Sequence, residues 1–99
     1  MTVKYEMNGT TLTVKPEEAL DSLTSPVFEA DVKEHLSGPG HIIVDMEKVT
    51  YVSSAGIRAF MTLSRDSAEL GADMKLIHVN EHILSVFDLV GVRDIVTVE

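Results

Sequence analysis

Two short apolar runs, Ile42–Val44 and Met74–Val79, are separated by an amphipathic segment that is long enough for a helix. Apolar runs of this length are typical of strands in a parallel sheet, and we expect Ile42–Val44 to be buried on both faces. Parallel strands need a crossover connection, which is right-handed and usually helical. The alternation therefore predicts an α/β domain.

The N-terminal segment predicts an antiparallel hairpin ahead of this unit. Asn8-Gly9 is a strong signal for a two-residue type I′ turn, in which both central residues have positive φ. Such a turn pairs Tyr5 with Leu12 and Val3 with Val14. Period-two alternation then places one set of side chains on a common apolar face, namely Val3, Tyr5, Met7, Leu12 and Val14.

Capping signals predict three helices. Thr24 is the expected N-cap of the first helix, Ser54 of a second that begins at Ala55, and Asn80 of a third. Gly71 and Gly91 are the expected C-terminal stops of the second and third helices. The predicted apolar face of the first helix is Phe28, Val32 and Leu36, with Val27 alongside. That of the second helix is Ile57, Phe60, Met61, Ser64 and Ala68, flanked by Leu63. That of the third helix is Ile83, Val86, Phe87 and Val90.

With a last strand at Ile95–Val98, the predicted order is ββαβαβαβ. We expect one domain over residues 1–99, with a mixed sheet and helices mainly on one face. The length allows one modest core.

Composition narrows the classes of partner. The net charge of −8 opposes binding to nucleic acid or to an anionic membrane surface, and it is compatible with a protein partner. Cysteine is absent, which excludes disulfides and thiolate chemistry. Neither a signal peptide nor an apolar stretch of membrane-spanning length is evident, so we expect a cytoplasmic protein.

The segment Val52-Ser53-Ser54-Ala55-Gly56 joins a predicted strand to the second helix. One interpretation is that Ser54 is simply a helix cap and has no further role. Alternatively, the small residues around it leave its hydroxyl open to an approaching enzyme, and Gly56 lets another backbone come close. The junction also lies at the carboxyl edge of the sheet, where open α/β domains place their binding sites.

The sequence gives little support for a catalytic site or a metal site. His78, Glu81 and His82 could suggest a metal, but the break at Asn80 separates them between a strand and a helix. A hydrolase would need a base and an oxyanion hole around Ser54, and the four histidines show no convergence there. We therefore expect neither an enzyme nor a cofactor.

Three segments together resemble the STAS-domain family of bacterial anti-sigma-factor antagonists. They are Asp45 with Val49–Ile57, the loop Leu20–Thr24, and Val86–Val92. The resemblance implies that Ser54 is the phosphorylated serine, that Ala55 is the family's small residue and that Gly56 is its glycine. It also implies binding to an anti-sigma-factor serine kinase, release of the sigma factor, and resetting by a PP2C-type phosphatase.

Two positions depart from the family pattern. Ser53 replaces an aspartate and is a competing target for phosphorylation, and Arg58 replaces a second glycine. On a helix, Arg58 stands one turn beyond Ser54 and could pair with a phosphate there. The expected contact surface comprises Asp21, Ser22, Thr24, Ser53, Ser54, Ala55, Gly56 and Arg58.

Two other functions remain open at this point. The chain could be a STAS unit that scaffolds or transmits a signal without phosphorylation. It could also bind a small ligand or a nucleotide at a helix N-terminus.

Overall fold

A computed structural model describes residues 1–99 and contains the predicted order of elements. The strands are β1 (Val3–Asn8), β2 (Thr11–Pro16), β3 (His41–Asp45), β4 (Asp73–Ile77) and β5 (Thr97–Val98). The helices are α1 (Thr24–Lys33), α2 (Ser54–Glu69) and α3 (Glu81–Val90), with a 3₁₀ turn at Val92–Asp94. None of the helices combines the length and the apolarity of a membrane span.

The five strands form one mixed sheet in the spatial order β1-β2-β3-β4-β5. β1 and β2 are antiparallel, and the remaining neighbours are parallel. This confirms the predicted fold class. The carboxyl ends of β3 and β4 therefore meet at one edge of the sheet, and the loops that lead to α2 and α3 start there.

The register of the hairpin differs from the sequence prediction by two residues. Tyr5 pairs with Val14 rather than Leu12, and the loop residues are Gly9 and Thr10. Only Gly9 has a positive φ, of 62°, which is the pattern of a type II′ turn with glycine at its first central position. A shift by two residues preserves the parity of each strand, so the predicted face is correct, although Met7 near the turn is 56% exposed.

The core lies on one side of the sheet, beneath the helices. Alternate strand residues point into it and are buried: Leu12, Val14, Ile42, Val44, Met74 and Leu76. Each helix contributes one phenylalanine, and Phe60 packs edge-on against Phe28 and Phe87 with ring centroids 5.8 and 6.5 Å away. Because no helix covers the other side of the sheet, Ile43 is only half-buried. The prediction that β3 is buried on both faces was therefore wrong.

The predicted faces of α1 and α3 are largely correct, whereas the buried face of α2 is shifted from its predicted position. On α2, Leu63 and Ser67 are fully buried, whereas the predicted Ala68 is exposed and Ser64 is half-buried. The Ser67 hydroxyl donates to the Leu63 carbonyl at 2.7 Å, so a polar side chain occupies the core without an unpaired hydrogen-bonding group. Val27 of α1 and Val90 of α3 are also more than half exposed, at 54% and 59%.

The element ends follow local backbone chemistry. Asn80 caps α3 as predicted, with its side-chain oxygen accepting from the Ile83 amide at 2.8 Å. Gly71 and Gly91 follow their helices with φ of 82° and 70°. β4 ends at Ile77, before the predicted Val79, because His78 adopts a φ of 57° that no strand can contain. β5 begins only at Thr97, because the amides of Ile95 and Val96 both donate to the Val92 carbonyl and so continue the turn rather than the strand.

Candidate functional site

The loops in front of α1 and α2 lie side by side at the carboxyl edge of the sheet. Leu20 and Val52 form an isolated parallel bridge. The Leu20 amide donates to the Tyr51 carbonyl at 2.9 Å, and the Ser53 amide donates to the Leu20 carbonyl at 2.8 Å. These backbone bonds bring the segment Asp21–Thr24 beside the start of α2. Residues far apart in the sequence thus share one surface.

The two serines at the start of α2 have different roles. Ser53, not Ser54, is the N-cap, because its hydroxyl accepts a hydrogen bond from the Gly56 amide at 3.3 Å. Ser54 is the first helical residue; it is exposed, and its hydroxyl makes no hydrogen bond within the chain. The predicted capping role of Ser54 was therefore wrong. The capping function and the open hydroxyl reside on neighbouring residues.

The Asp21–Thr24 segment is held by reciprocal hydrogen bonds. One Asp21 carboxylate oxygen accepts from the amides of Thr24 and Leu23, both at 2.9 Å. The Thr24 hydroxyl accepts from the Asp21 amide at 3.0 Å and donates to the Ala19 carbonyl at 2.7 Å. Hydrogen bonds from the amide of Thr24, which has the larger effect, and from the amide of Leu23 lower the pKa of Asp21. Thr24 is therefore the first residue of α1 rather than its N-cap, and Asp21 binds the amides at that end of the helix.

Two large apolar side chains that the sequence analysis did not single out lie on these loops. Leu23 is 81% exposed and Tyr51 is 49% exposed. Ser22 is also exposed, next to Leu23. Backbone bonds between the two loops bring together the segments that carry these residues, so no local pattern in the sequence signals them. Exposed apolar and aromatic groups beside an accessible hydroxyl are suited to contact with a protein partner.

Gly56 contributes to the site from below the surface. It is buried, and a Cβ atom there would lie 2.7 Å from Val52 Cγ1 and 2.9 Å from the Leu20 carbonyl oxygen. The close approach at Gly56 is therefore made by the chain's own loops, and not by the backbone of a partner as the sequence suggested. Ala55 is half-buried, and Arg58 is exposed one turn further along α2.

Asp45 and His78 connect the carboxyl ends of β3 and β4. His78 Nδ1 lies 2.8 Å from Asp45 Oδ1, and the same oxygen accepts from the Glu47 amide at 3.0 Å. This bond with Asp45 raises the pKa of His78. Burial by itself raises the pKa of Asp45, but the bonds from His78 and the Glu47 amide outweigh it, and the pKa of Asp45 is lowered.

Donor atoms of Asp45, Glu47 and His78 all lie within 4.8 Å of one another and form a set that could hold a cation. The direct bond between His78 and Asp45 already accounts for their placement. Glu81 and His82, which the sequence analysis weighed together with His78, stand beyond Asn80 on α3 and are not part of this set.

The other histidines are engaged away from the serines. His35 stacks on Tyr5 with ring centroids 3.8 Å apart, and His41 Nδ1 lies 2.9 Å from a carboxylate oxygen of Asp73. No histidine forms a hydrogen bond with Ser54.

The Asp45–His78 pair predicts a pH dependence of stability with a defined sign. A raised His78 pKa gives stability that is complete below about pH 6.5, the unfolded value, and is lost as pH rises through the folded pKa. A lowered Asp45 pKa gives stability that is complete above about pH 4 and is lost as pH falls. We therefore expect this pair to contribute most to the free energy of unfolding between about pH 4 and pH 6.5, which urea unfolding at several pH values measures.

His78→Asn tests this expectation, since asparagine tolerates the positive φ and does not titrate. The stability difference between the wild type and this variant should shrink as pH rises above about 6.5. His82→Asn, which removes an exposed histidine of α3, is the matched control and should leave the pH profile unchanged. A difference that is constant with pH would contradict the assigned ion pair.

Comparisons with known proteins agree with this geometry. The family model of the STAS domain matches residues 2–99. The anti-sigma-B factor antagonist of Bacillus subtilis (strain 168) is 21% identical over 96 residues, which cover 97% of this chain and 88% of that protein.

Solved structures show the same fold. The crystal structure of TM1081 from Thermotoga maritima superposes with a TM-score of 0.89 at 18% identity, covering 97% of this chain and 84% of that one. The Bacillus protein SpoIIAA is 16% identical, and its structures give TM-scores of 0.82 in the unphosphorylated form and 0.74 in the phosphorylated form. They cover 99% of this chain, and 88% and 91% of SpoIIAA. With a family match over nearly its whole length, the chain belongs to the STAS domain family.

Proposed function

We propose that this chain is an anti-sigma-factor antagonist that is switched by phosphorylation of Ser54. Its unphosphorylated form binds an anti-sigma-factor serine kinase in the cytoplasm and thereby frees the sigma factor. The observation that carries the proposal is the exposed, uncommitted hydroxyl of Ser54, which is free because Ser53 caps the helix. The STAS family, and relatives whose names state this activity, support the same function.

The phosphorylation step needs the chain only as a substrate. The Ser54 oxygen attacks the γ-phosphorus of ATP held by the kinase, the new O–P bond forms, and the bond between that phosphorus and the β–γ bridging oxygen breaks. ADP leaves, and the hydroxyl proton passes to a base of the kinase. A PP2C-type phosphatase reverses the change when water attacks the phosphorus, which regenerates serine and releases inorganic phosphate.

The phosphate should block the interface without unfolding the domain. At the first residue of α2, it meets the unpaired amides and the positive end of the helix dipole, both of which favour a negative charge. A phosphate adds about −1.5 to −2 charges at neutral pH. Burying that charge against a partner is unfavourable unless the partner supplies a matched cation.

The kinase reaction tests the proposal directly. The purified chain is incubated with ATP and the candidate kinase, and its intact mass is measured. We expect a gain of one phosphoryl group in the wild type and in Ser53→Ala, and none in Ser54→Ala. The Ser53 variant loses its helix cap, at a cost of about 1 kcal/mol, and should still be folded. Phosphate on Ser53, or on neither serine, would contradict the proposal.

A further inference from the structure

Arg58 differs from every other basic side chain of this protein. The chain contains eight lysines and arginines against sixteen acidic residues. All the others lie within 4.0 Å of a carboxylate oxygen, namely Lys4, Lys15, Lys33, Lys48, Lys75, Arg65 and Arg93. Arg58 alone is exposed without such a partner. In so acidic a chain, a cation without a counter-ion is available for an anion that the unmodified protein lacks.

The position of Arg58 indicates where that anion would lie. Arg58 is four residues beyond Ser54 on α2, which places the two side chains about 40° apart around the helix axis and one turn apart along it. Side chains at this spacing contact each other on a helix surface. A planar guanidinium also matches the geometry of phosphate oxygens.

A second, independent observation comes from the groove between α1 and α2, which has a volume of about 340 Å³. Arg58 and Ala55 line it from α2, and Ser25 lines it from α1. Ser25 is only 1% exposed, and its hydroxyl is the one buried side-chain polar atom of the chain without a hydrogen-bond partner. The oxygen is therefore buried in the wall of the groove, and an unpaired buried hydroxyl costs about 1–3 kcal/mol, so this wall contains a donor that still lacks its acceptor.

The other charges in the groove belong to an existing pair. Lys33 Nζ lies 3.1 Å from Glu29 Oε2, so these two groups largely neutralise each other. Arg58 is therefore the cation that remains free at the N-terminal end of α2. The end of this 16-residue helix adds its own positive potential at the same place.

We propose that a phosphoryl group on Ser54 is bound within the domain itself by the Arg58 guanidinium, and that the Ser25 side chain rotates so that its hydroxyl donates to the same phosphate. This inference rests on the proposed function, because it needs Ser54 as the modified residue. The phosphorylated form is then stabilised by bonds that the unmodified form cannot make. The phosphate is also held on the surface that a partner must approach.

The test installs phosphoserine at position 54 during synthesis of the full chain, so that no kinase is needed. Phosphorus NMR then follows the second ionisation of the phosphate, whose pKa is about 6 in free phosphoserine. A bound cation favours the dianion and lowers this pKa. We expect Arg58→Gln to raise it by about half a unit relative to the wild type, and Ser25→Ala to raise it by less.

Arg65→Gln is the matched control, because Arg65 lies on the same helix and is already paired with Asp66 at 3.8 Å. It should leave the phosphate pKa unchanged. Melting temperatures supply a second measurement: Arg58→Gln should lower that of the phosphorylated chain only. In the unmodified chain, Ser25→Ala should be neutral or stabilising because it removes an unpaired hydroxyl.

An identical phosphate pKa in the wild type and in Arg58→Gln would overturn the inference. An unchanged pKa in Ser25→Ala would overturn the part assigned to that hydroxyl. Neither result depends on the kinase, so failure here is distinct from a failure of the kinase to modify Ser54.

Discussion

Replacement of Ser54 by aspartate is expected to weaken binding to the partner kinase by about 100- to 4,000-fold. A carboxylate enclosed in an interface without a partner costs about 3–5 kcal/mol, and each 1.4 kcal/mol is tenfold in affinity. The fold should be unaffected, since a negative charge in the first turn of α2 interacts favourably with the helix dipole. Isothermal titration calorimetry measures the affinity, and thermal unfolding measures the stability.

Ser54→Asn is the matched control for this variant, because it has the same size as aspartate without the charge. We expect asparagine to weaken binding much less. Equal losses for the two variants would show that shape rather than charge closes the interface. A large fall in the melting temperature of Ser54→Asp would show that a charge at this position disrupts the fold, which contradicts interface blocking.

Gly56→Ala is expected to destabilise the domain by about 2 kcal/mol. The added Cβ would lie 2.9 Å from a backbone oxygen of Leu20 and 2.7 Å from Val52 Cγ1, so the two loops would have to move apart. Such overpacking costs about 3 kcal/mol, and the higher helix propensity of alanine returns only about 1 kcal/mol. The melting temperature should fall by about 8–16 °C.

A double variant tests whether this contact causes the loss. Val52→Ala removes the Cγ1 atom that the new Cβ would meet, so Gly56→Ala together with Val52→Ala should cost less than the two separate losses combined. Urea unfolding gives the four free energies that the comparison needs. Strict additivity, or a Gly56→Ala variant as stable as the wild type, would show that the loops tolerate a side chain at this position.

The order of elements could be predicted from the sequence because its signals are local. Apolar runs of strand length, helix caps and the Asn8-Gly9 turn depend on neighbouring residues only. The register of the hairpin depended on which residue takes the positive φ, and a shift of two residues leaves the apolar pattern intact. The pattern alone therefore could not choose between the two registers.

The sequence pointed to a candidate site, which stays a prediction, and it could not assign the structural roles of the residues there. The small residues from Ser53 to Gly56, together with the family resemblance, pointed to the start of α2. Which serine caps the helix depends on one hydrogen bond, and each of the two residues has the chemistry for it. The unpaired state of Arg58 depends on where sixteen carboxylates lie in three dimensions, which no local pattern contains.

By itself, the sequence determined the fold class and the strand and helix order, because period, caps and turn residues operate over a few positions. Only the tertiary structure decided that Ser54 is the free hydroxyl, that Gly56 serves the packing of Leu20 and Val52, and that Leu23 and Tyr51 are exposed on the two bonded loops. The physical reason is that each of these facts depends on contact between the loops before α1 and α2. That contact joins residues about thirty positions apart, and it exists only after the sheet has assembled.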